Sequence, residues 1–239
     1  MIFKESFTTR WHDTDAYRRV RATQMLVYMQ EVSNHHMESC GLSLDRLRDE
    51  KRLAFILSKI RMRLYQPLYA FENIEVQTWT CEGRGFAISR FYRIMRGDCV
   101  IADADTTWAL VNIDNKSLVR QEDIDIYSFE NEPTVTLDIP LRLRFPRGAE
   151  LESVGSRRIV YSDLDYNMHM NNTRYPDMLC DFMSEDEIGA VKGFVLSYVH
   201  EAAMGDVLDV RTVRCGEERY FRTVNEAGDT CLEAAVIFN

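Results

Sequence analysis

The chain has 239 residues, of which 46% are hydrophobic and 28% are charged, and its formal net charge is −9. Such a composition is typical of a globular protein, and the negative charge argues against nucleic acid or anionic lipid as the main partner, because both are bound through basic surfaces. No apolar run approaches the ~18 residues of a membrane span, and the alternating N-terminal sequence predicts a strand rather than a signal peptide.

Cysteine usage indicates the cellular compartment. The six cysteines lack the C-x-x-C spacing of a zinc site and do not suggest a disulfide framework. Free or buried thiols fit a reducing environment, and we therefore expect a cytoplasmic protein. The cysteines are Cys40, Cys81, Cys99, Cys180, Cys215 and Cys231.

The first part of the chain predicts a strand, a long helix and four more strands. An apolar stripe with helical spacing runs from about Ala22 to Cys40, and Gly41 follows where a helix-terminating glycine belongs. Aromatic and β-branched residues separated by glycine turns indicate the strands that follow. These strands are Phe55–Leu64, Ile74–Cys81, Phe86–Met95 and Val100–Asn112.

The same order of elements returns after a break. Residues 127–150 contain three prolines and no clear periodicity, which predicts a linker between a first domain at 1–126 and a second at 151–239. The second domain has a predicted helix over Asn172–Met183 and four strands after it. These strands are Phe194–Glu201, Val207–Cys215, Arg219–Asn225 and Cys231–Phe238.

Internal similarity supports a duplication. Residues 12–23 align with residues 162–173 at a shift of 150 (162 − 12). Further on, Phe55–Ser58 aligns with Phe194–Ser197 at a smaller shift, which places Met62 opposite Glu201. The identities in the first alignment are Asp13 with Asp163, Asp15 with Asp165, and Thr23 with Thr173.

A polar triplet in the second copy carries the chemistry. Asp165, Asn167 and His169 alternate, so an extended backbone would point all three side chains to one face. Asn171 and Asn172 are candidate N-caps for the helix that follows, and the N–H groups of a helix start can stabilise an oxyanion. Taken alone, the pattern is equally typical of a polar turn with a capping asparagine.

The segment Ser162-Asp163-Leu164-Asp165-x-Asn167-x-His169-x-Asn171-Asn172-x-x-Tyr175 resembles the signature of the acyl-ACP thioesterase family. The resemblance implies an α+β fold of two tandem hotdog domains, each a long helix wrapped by an antiparallel sheet, paired as an intrachain pseudo-dimer. It also implies that Asp165, Asn167 and His169 are catalytic, with Glu201 as the fourth catalytic residue in a Tyr-x-x-Glu context. The chain departs from many plant members at Ala202, where they have a cysteine.

The first copy lacks most of these groups. Tyr17 and Arg19 replace Asn167 and His169. We therefore expect a catalytically degenerate first domain that binds the acyl chain, and one catalytic site per chain in the second domain.

The resemblance implies hydrolysis of fatty acyl-ACP to free fatty acid and ACP in fatty acid biosynthesis. A water nucleophile, a base and oxyanion donors suffice for this chemistry, so we predict no cofactor and no metal. Which of the two carboxylates, Asp165 or Glu201, acts as base stays open. His35 and His36 lie near Glu31 and Glu38, but no second cluster of matching spacing supports a metal site.

Three other functions are considered. The first is an acyl-CoA thioesterase, the second a non-catalytic module that binds acyl chains or ACP, and the third a hotdog dehydratase, whose sites usually lack the triplet. The expected partner is acyl-ACP, and a homodimer stays open. An acidic carrier would dock on a basic cluster, either Arg142, Arg144 and Arg147 or Arg18, Arg19 and Arg21.

Overall fold

The structure is a computed structural model that describes residues 1–120 and 131–238, without the side chains of residues 82–84. It divides into two compact units. The first comprises Met1–Ser58 and Tyr65–Leu137, and the second comprises Lys59–Leu64 and Asp138–Asn239. Within the described parts of the chain, no helix has the length and apolar character needed to cross a membrane.

The first unit is built on an antiparallel sheet with strand order β1-β3-β4-β5-β2, and β6 pairs with β5. Only the first half of β2 belongs to this unit, because residues 59–64 belong to the second. The elements are β1 (Phe3–Thr8), α1 (Ala22–Ser39), α2 (Leu44–Lys51), β2 (Leu53–Leu64), β3 (Asn73–Arg84), β4 (Ala87–Arg96), β5 (Cys99–Asn112) and β6 (Leu118–Val119).

Helix α1 confirms the prediction from the apolar stripe. Its side chains at helical spacing, among them Met25, Met29 and Val32, are buried, and the helix contacts β1 and β3. The chain leaves the helix at Gly41, whose φ of 78° suits a residue without a Cβ.

The second unit repeats this sheet, with strand order β7-β9-β10-β11-β8. Residues 59–63 of β2 pair antiparallel with β8, in a register that sets Arg61 beside Val195. Gly193 lies close to this strand, since a Cβ there would come within 2.7 Å of the Met62 carbonyl oxygen. The elements are β7 (Glu152–Arg158), α3 (Tyr175–Cys180), α4 (Glu185–Ala190), β8 (Gly193–Tyr198), β9 (Val207–Cys215), β10 (Glu218–Val224) and β11 (Thr230–Ile237).

The register of the strands confirms the duplication. In the first unit Ser6 pairs with Glu75, and in the second Ser156 pairs with Asp209. The partners differ by 150 for the first strand (156 − 6), which is the shift that aligns residues 12–23 with residues 162–173, and by 134 for the third (209 − 75). The two units are therefore copies in strand order and in pairing.

The loop that follows β7 is a compact turn rather than an extended segment. The N–H of Asp165 donates to the His169 carbonyl at 2.9 Å, and Met168 N–H donates to the Asp165 carbonyl at 3.1 Å. Asp165 Oδ1 accepts the N–H of Asn167 at 2.8 Å, and Met168 has a φ of 67°. The prediction of an extended backbone for the polar triplet is wrong, because the carboxylate of Asp165 turns the chain back on itself.

The loop that follows β1 has the same conformation. Asp15 N–H donates to the Arg19 carbonyl at 2.7 Å, and Asp15 Oδ1 accepts the N–H of Tyr17 at 2.8 Å. Arg18 has a φ of 66° where Met168 has its positive φ. The backbone of the loop is thus preserved in the copy whose side chains have changed.

One predicted equivalence is wrong. In the second unit the N–H of Met170, just after the loop, donates to the Ala202 carbonyl at 2.8 Å. In the first unit the N–H of Val20 makes the same bond to the Leu68 carbonyl at 2.7 Å, so Leu68 is equivalent to Ala202. The preceding residues are Glu201 and Pro67, so Pro67 occupies the position of Glu201 in the first copy. Met62 instead pairs within the sheet.

The helices also differ from prediction. The predicted helix over residues 172–183 is a 3-10 turn followed by the six-residue α3, and α2 and α4 were not predicted. Helix α2 escapes notice because it is short and polar, with Leu47 as its buried residue. Part of the predicted linker, residues 127–130, lies outside the described residues, and residues 131–150 form neither helix nor strand.

A buried carboxylate anchors the loop of the first unit. Asp13 is 2% exposed, and its Oδ2 accepts the Arg10 N–H at 2.6 Å and the hydroxyl of Tyr28. Arg10 Nε also donates to Oδ1, at 3.1 Å. Burial alone would raise the pKa of Asp13, but the bonds from Tyr28 and Arg10 together hold this pKa below its ordinary value.

Asp13→Asn should lower the free energy of unfolding at pH 7 by roughly 1–3 kcal/mol, because Arg10 and Tyr28 lose an ionised acceptor. A depressed folded-state pKa stabilises the protein above the unfolded-state pKa of about 3.9, and this contribution is lost as pH falls through the lower folded-state value. Urea unfolding between pH 7 and pH 2.5 should therefore show that the difference between wild type and variant shrinks below about pH 4. A difference that stays constant across this range would contradict the assignment.

Candidate functional site

The second unit brings His169 and Glu201 into direct contact. Nε2 of His169 lies 3.3 Å from Oε2 of Glu201, and their side chains are 32% and 64% exposed. Two backbone contacts set this distance, an antiparallel bridge between His169 and Ala203 and the bond from Met170 N–H to the Ala202 carbonyl. Glu201 lies beyond the end of β8, in the loop that follows, rather than on the strand as predicted.

The exposure of this pair bears on its role. An exposed ion pair contributes about 0–1 kcal/mol to stability, so stability gives little reason to hold an imidazole against a carboxylate here. A histidine beside an acid and within reach of water is suited to proton transfer near neutral pH. The geometry is that of a candidate acid–base pair.

The other two predicted site residues, Asp165 and Asn167, lie in the loop. Asp165 is partly buried and bonds to the backbone of Asn167 and His169, which makes it the residue that shapes the turn. Because Asp15 makes the same bonds in the first copy, this shaping role does not depend on the chemistry. Asn167 is exposed at the tip of the turn, one residue from Met168.

The helix start is capped by the chain itself. Oδ1 of Asn171 accepts the N–H of Thr173 at 2.9 Å and the hydroxyl of the same residue at 2.8 Å. Of the two predicted N-cap candidates, Asn171 is confirmed, and Asn172 is the first residue of the turn itself. One of the N–H groups considered for an oxyanion is therefore already bonded, and a role for the helix start in catalysis stays a prediction.

An ion pair with a buried carboxylate anchors the loop to β7. Asp163 is 5% exposed and accepts from Arg157 Nη2 at 2.7 Å and from the N–H of Val160 at 3.0 Å. Its backbone carbonyl accepts the N–H of Asn171 at 2.8 Å, so one residue joins both ends of the loop. The sequence did not predict this role for Arg157, because the equivalent residue of the first copy is Phe7, which suggests no ion pair.

Ala202 occupies the position where many plant members have a cysteine. Its side chain is buried, and its carbonyl bonds to the segment that carries His169. A methyl group cannot act as a nucleophile, so the side chain at this position offers no thiol for covalent catalysis.

The two histidines of α1 have different partners. His35 is exposed, and its Nδ1 lies 2.7 Å from Oε2 of Glu5. His36 is buried, stacks on Phe3 with ring centroids 5.1 Å apart, and places Nδ1 3.1 Å from Nη1 of Arg90. Burial and the nearby guanidinium lower the pKa of His36 to about 4, so this imidazole is neutral at pH 7.

Comparisons with known proteins agree with the duplicated plan. The family model of the acyl-ACP thioesterase N-terminal domain matches residues 1–128, and that of the C-terminal domain matches residues 150–239. The chain is 24% identical over 233 residues to oleoyl-acyl carrier protein thioesterase 2, chloroplastic, of Arabidopsis thaliana. That match covers 88% of this chain and 62% of the relative, so the chain spans less than two thirds of the relative's length.

Solved structures share the fold. An acyl-ACP thioesterase from Bacteroides thetaiotaomicron matches with a TM-score of 0.89 at 20% identity, covering 100% of this chain and 98% of the other. The 12:0-ACP thioesterase from Umbellularia californica matches with a TM-score of 0.85 at 16% identity, covering 100% and 97%. The predicted α+β fold of two tandem hotdog domains is confirmed. With both of its halves matched by the family models, the chain belongs to the acyl-ACP thioesterase family.

Proposed function

We propose that this protein hydrolyses the thioester of fatty acyl-ACP to a free fatty acid and ACP, in the cytoplasm and in fatty acid biosynthesis. The observation that carries the proposal is the contact between His169 and Glu201 beside a loop that also presents Asn167. The Arabidopsis and Umbellularia relatives are named as thioesterases that act on acyl carrier protein substrates, which supports the same substrate class here.

The acid–base pair activates a water molecule. The water gives one proton to the pair of His169 and Glu201, and its oxygen attacks the thioester carbonyl carbon. The side-chain amide of Asn167 donates to the carbonyl oxygen as it gains negative charge. The carbon–sulfur bond then breaks, and the pair returns the proton to the departing sulfur.

The two halves have different tasks in this proposal. The second domain, residues 151–239, carries Asp165, Asn167, His169 and Glu201. The first domain, residues 1–126, has a phenol, a guanidinium and a proline at the positions of the last three and binds the acyl chain. Buried Met25 and Met29 on α1 support this assignment, because flexible thioethers adapt to alkyl chains. Residues 127–150 join the domains.

Two alternatives differ in substrate or activity. An acyl-CoA thioesterase would use the same acid–base pair with another thiol carrier. A silent binding module is disfavoured because a histidine and a carboxylate within 3.3 Å are more than binding requires.

A hydrolysis assay separates these functions. Acyl-ACPs and acyl-CoAs of graded chain length are incubated with the full chain, and thiol release is measured. We expect kcat/KM to be higher for acyl-ACP than for acyl-CoA at each length. Preference for CoA would favour the first alternative, and binding of acyl-ACP without thiol release would favour the second.

His169→Ala tests the acid–base assignment. The variant should lower kcat by roughly 100-fold or more, because it removes one member of the proton-transfer pair. Arg19→Ala is the matched control, since Arg19 holds the same position in the first-copy loop and should leave kcat unchanged. Steady-state kinetics with acyl-ACP check both, and near wild-type turnover of His169→Ala would show the assignment to be wrong.

Carrier docking needs a local basic cluster. The chain has a net charge of −9, so an acidic carrier would be repelled at long range. Arg19 pairs with Asp15 at 3.3 Å, and Arg21 donates to the Thr14 carbonyl at 3.2 Å. The linker arginines are all exposed, and we propose that they contact the carrier. They are Arg142, Arg144 and Arg147.

Replacing the three linker arginines with glutamate should raise KM for acyl-ACP more than it lowers kcat, because docking is weakened while the catalytic pair stays intact. The effect should shrink at high ionic strength, where charge is screened. Kinetics at two salt concentrations check this. The matched control reverses Arg18 and Arg21, and a larger rise in KM there would place docking on the first-copy loop instead.

A further inference from the structure

Tyr198 forms a bond that the first copy cannot form. Its hydroxyl donates to the Asn172 carbonyl at 2.7 Å, and its ring lies edge-on against Tyr175 with centroids 5.3 Å apart. Tyr198 precedes Glu201 by three residues, and the equivalent residue of the first copy is Leu64, three residues before Pro67. Leucine has no group to donate, so this bond is confined to the half that keeps His169 and Glu201.

The bond joins the two segments that carry the acid–base pair. Tyr198 lies three residues before Glu201, and Asn172 lies three residues after His169. The same two segments are also joined by the bond from Met170 N–H to the Ala202 carbonyl, at 2.8 Å. The backbone contacts recur in the first copy and the side-chain bond does not.

Two attachments restrict motion more than one. A contact at a single place along two segments leaves them free to twist about it, whereas a second contact several residues away fixes their relative orientation. The His169–Glu201 pair lies beside the first contact, and its side chains are partly exposed, so little packing holds them in place. Small displacements matter, since proton transfer requires contact within hydrogen-bond range.

The Tyr198 phenol is suited to a permanent donor role. It is half-buried. This burial and, to a smaller extent, the neighbouring Tyr175 raise the pKa of the phenol well above its ordinary value. The hydroxyl therefore keeps its proton throughout the neutral pH range and donates to Asn172 at all working conditions.

We propose that Tyr198 is a positioning residue, which holds the Glu201 segment against the His169 segment and so maintains the contact between imidazole and carboxylate. This inference rests on the proposed function. Tyr198 itself takes no proton from the reaction.

Tyr198→Phe removes the donor and keeps the ring against Tyr175. We expect kcat for acyl-ACP to fall by about fivefold to tenfold with KM changed by less than about twofold, because one hydrogen bond in the support of the pair is lost. Tyr175→Phe is the matched control, since its hydroxyl takes no part in the bond to Asn172, and its kcat should stay within about twofold of wild type. A wild-type kcat for Tyr198→Phe would overturn the proposal.

A double-mutant cycle separates positioning from a general structural role. In a Glu201→Gln background the carboxylate that Tyr198 aligns is absent, so adding Tyr198→Phe should lower kcat by less than about twofold further. A merely structural effect would lower kcat by the same factor in both backgrounds and would contradict the proposal.

Two side chains of similar size test the hydrogen bond separately from any effect of the substitution on folding. With p-aminophenylalanine at position 198 the donor is retained, and with p-methylphenylalanine the same space is filled without one. Only the amino variant should recover most of the wild-type kcat, and equal rates for the two would overturn the proposal whatever happens to Tyr198→Phe.

Crystal structures provide a test that does not depend on activity. The separation of His169 Nε2 and Glu201 Oε2 should lengthen in Tyr198→Phe relative to wild type, and an unchanged separation would refute the positioning role. Absence of thioesterase activity in the wild type, by contrast, would refute the proposed function while this comparison still decides the role of Tyr198.

Discussion

The structure depends first on a buried aspartate at the start of the loop in each copy. Asp13 and Asp163 accept the N–H three residues before them, and their backbone carbonyls accept the N–H of Arg21 and Asn171. Each aspartate thereby fixes both ends of the turn. Burying a carboxylate is costly unless it is paired, and both are paired, with Arg10 in one unit and Arg157 in the other.

Because the loop is anchored in this way, its exposed positions can change without loss of the turn. Tyr17 and Arg19 stand where the second copy has Asn167 and His169, yet the backbone bonds are the same. The shape of the loop and the chemistry it presents are therefore separate properties of the sequence. Only the second depends on which side chains point outward.

Much of this arrangement could be predicted from the sequence. The apolar stripe of α1, the glycine turns and the repeat predicted the long helix and the strands of both copies along the chain, and the family resemblance singled out His169 and Glu201. The ion pair of Arg157 with Asp163 was not predicted, because the first copy has Phe7 at the position of Arg157 and its own aspartate pairs with Arg10 instead. Helix α4 did leave a local trace in the sequence, since Ser184 and Glu187 form a capping box, but its exposed and acidic surface hides it from a search for apolar periodicity.

The division of β2 between the units has a consequence during synthesis. Residues 59–63 pair with β8, which is complete only 135 residues later (198 − 63), or roughly 7–27 s at ribosomal rates. For that time the segment is a strand edge without its final neighbour. Its alternating cations, Lys59, Arg61 and Arg63, oppose pairing with other chains, and in the folded protein two of them donate to the carbonyls of Leu141 and Ile139. The same charges thus protect the nascent chain and later hold the part of the linker around Pro140.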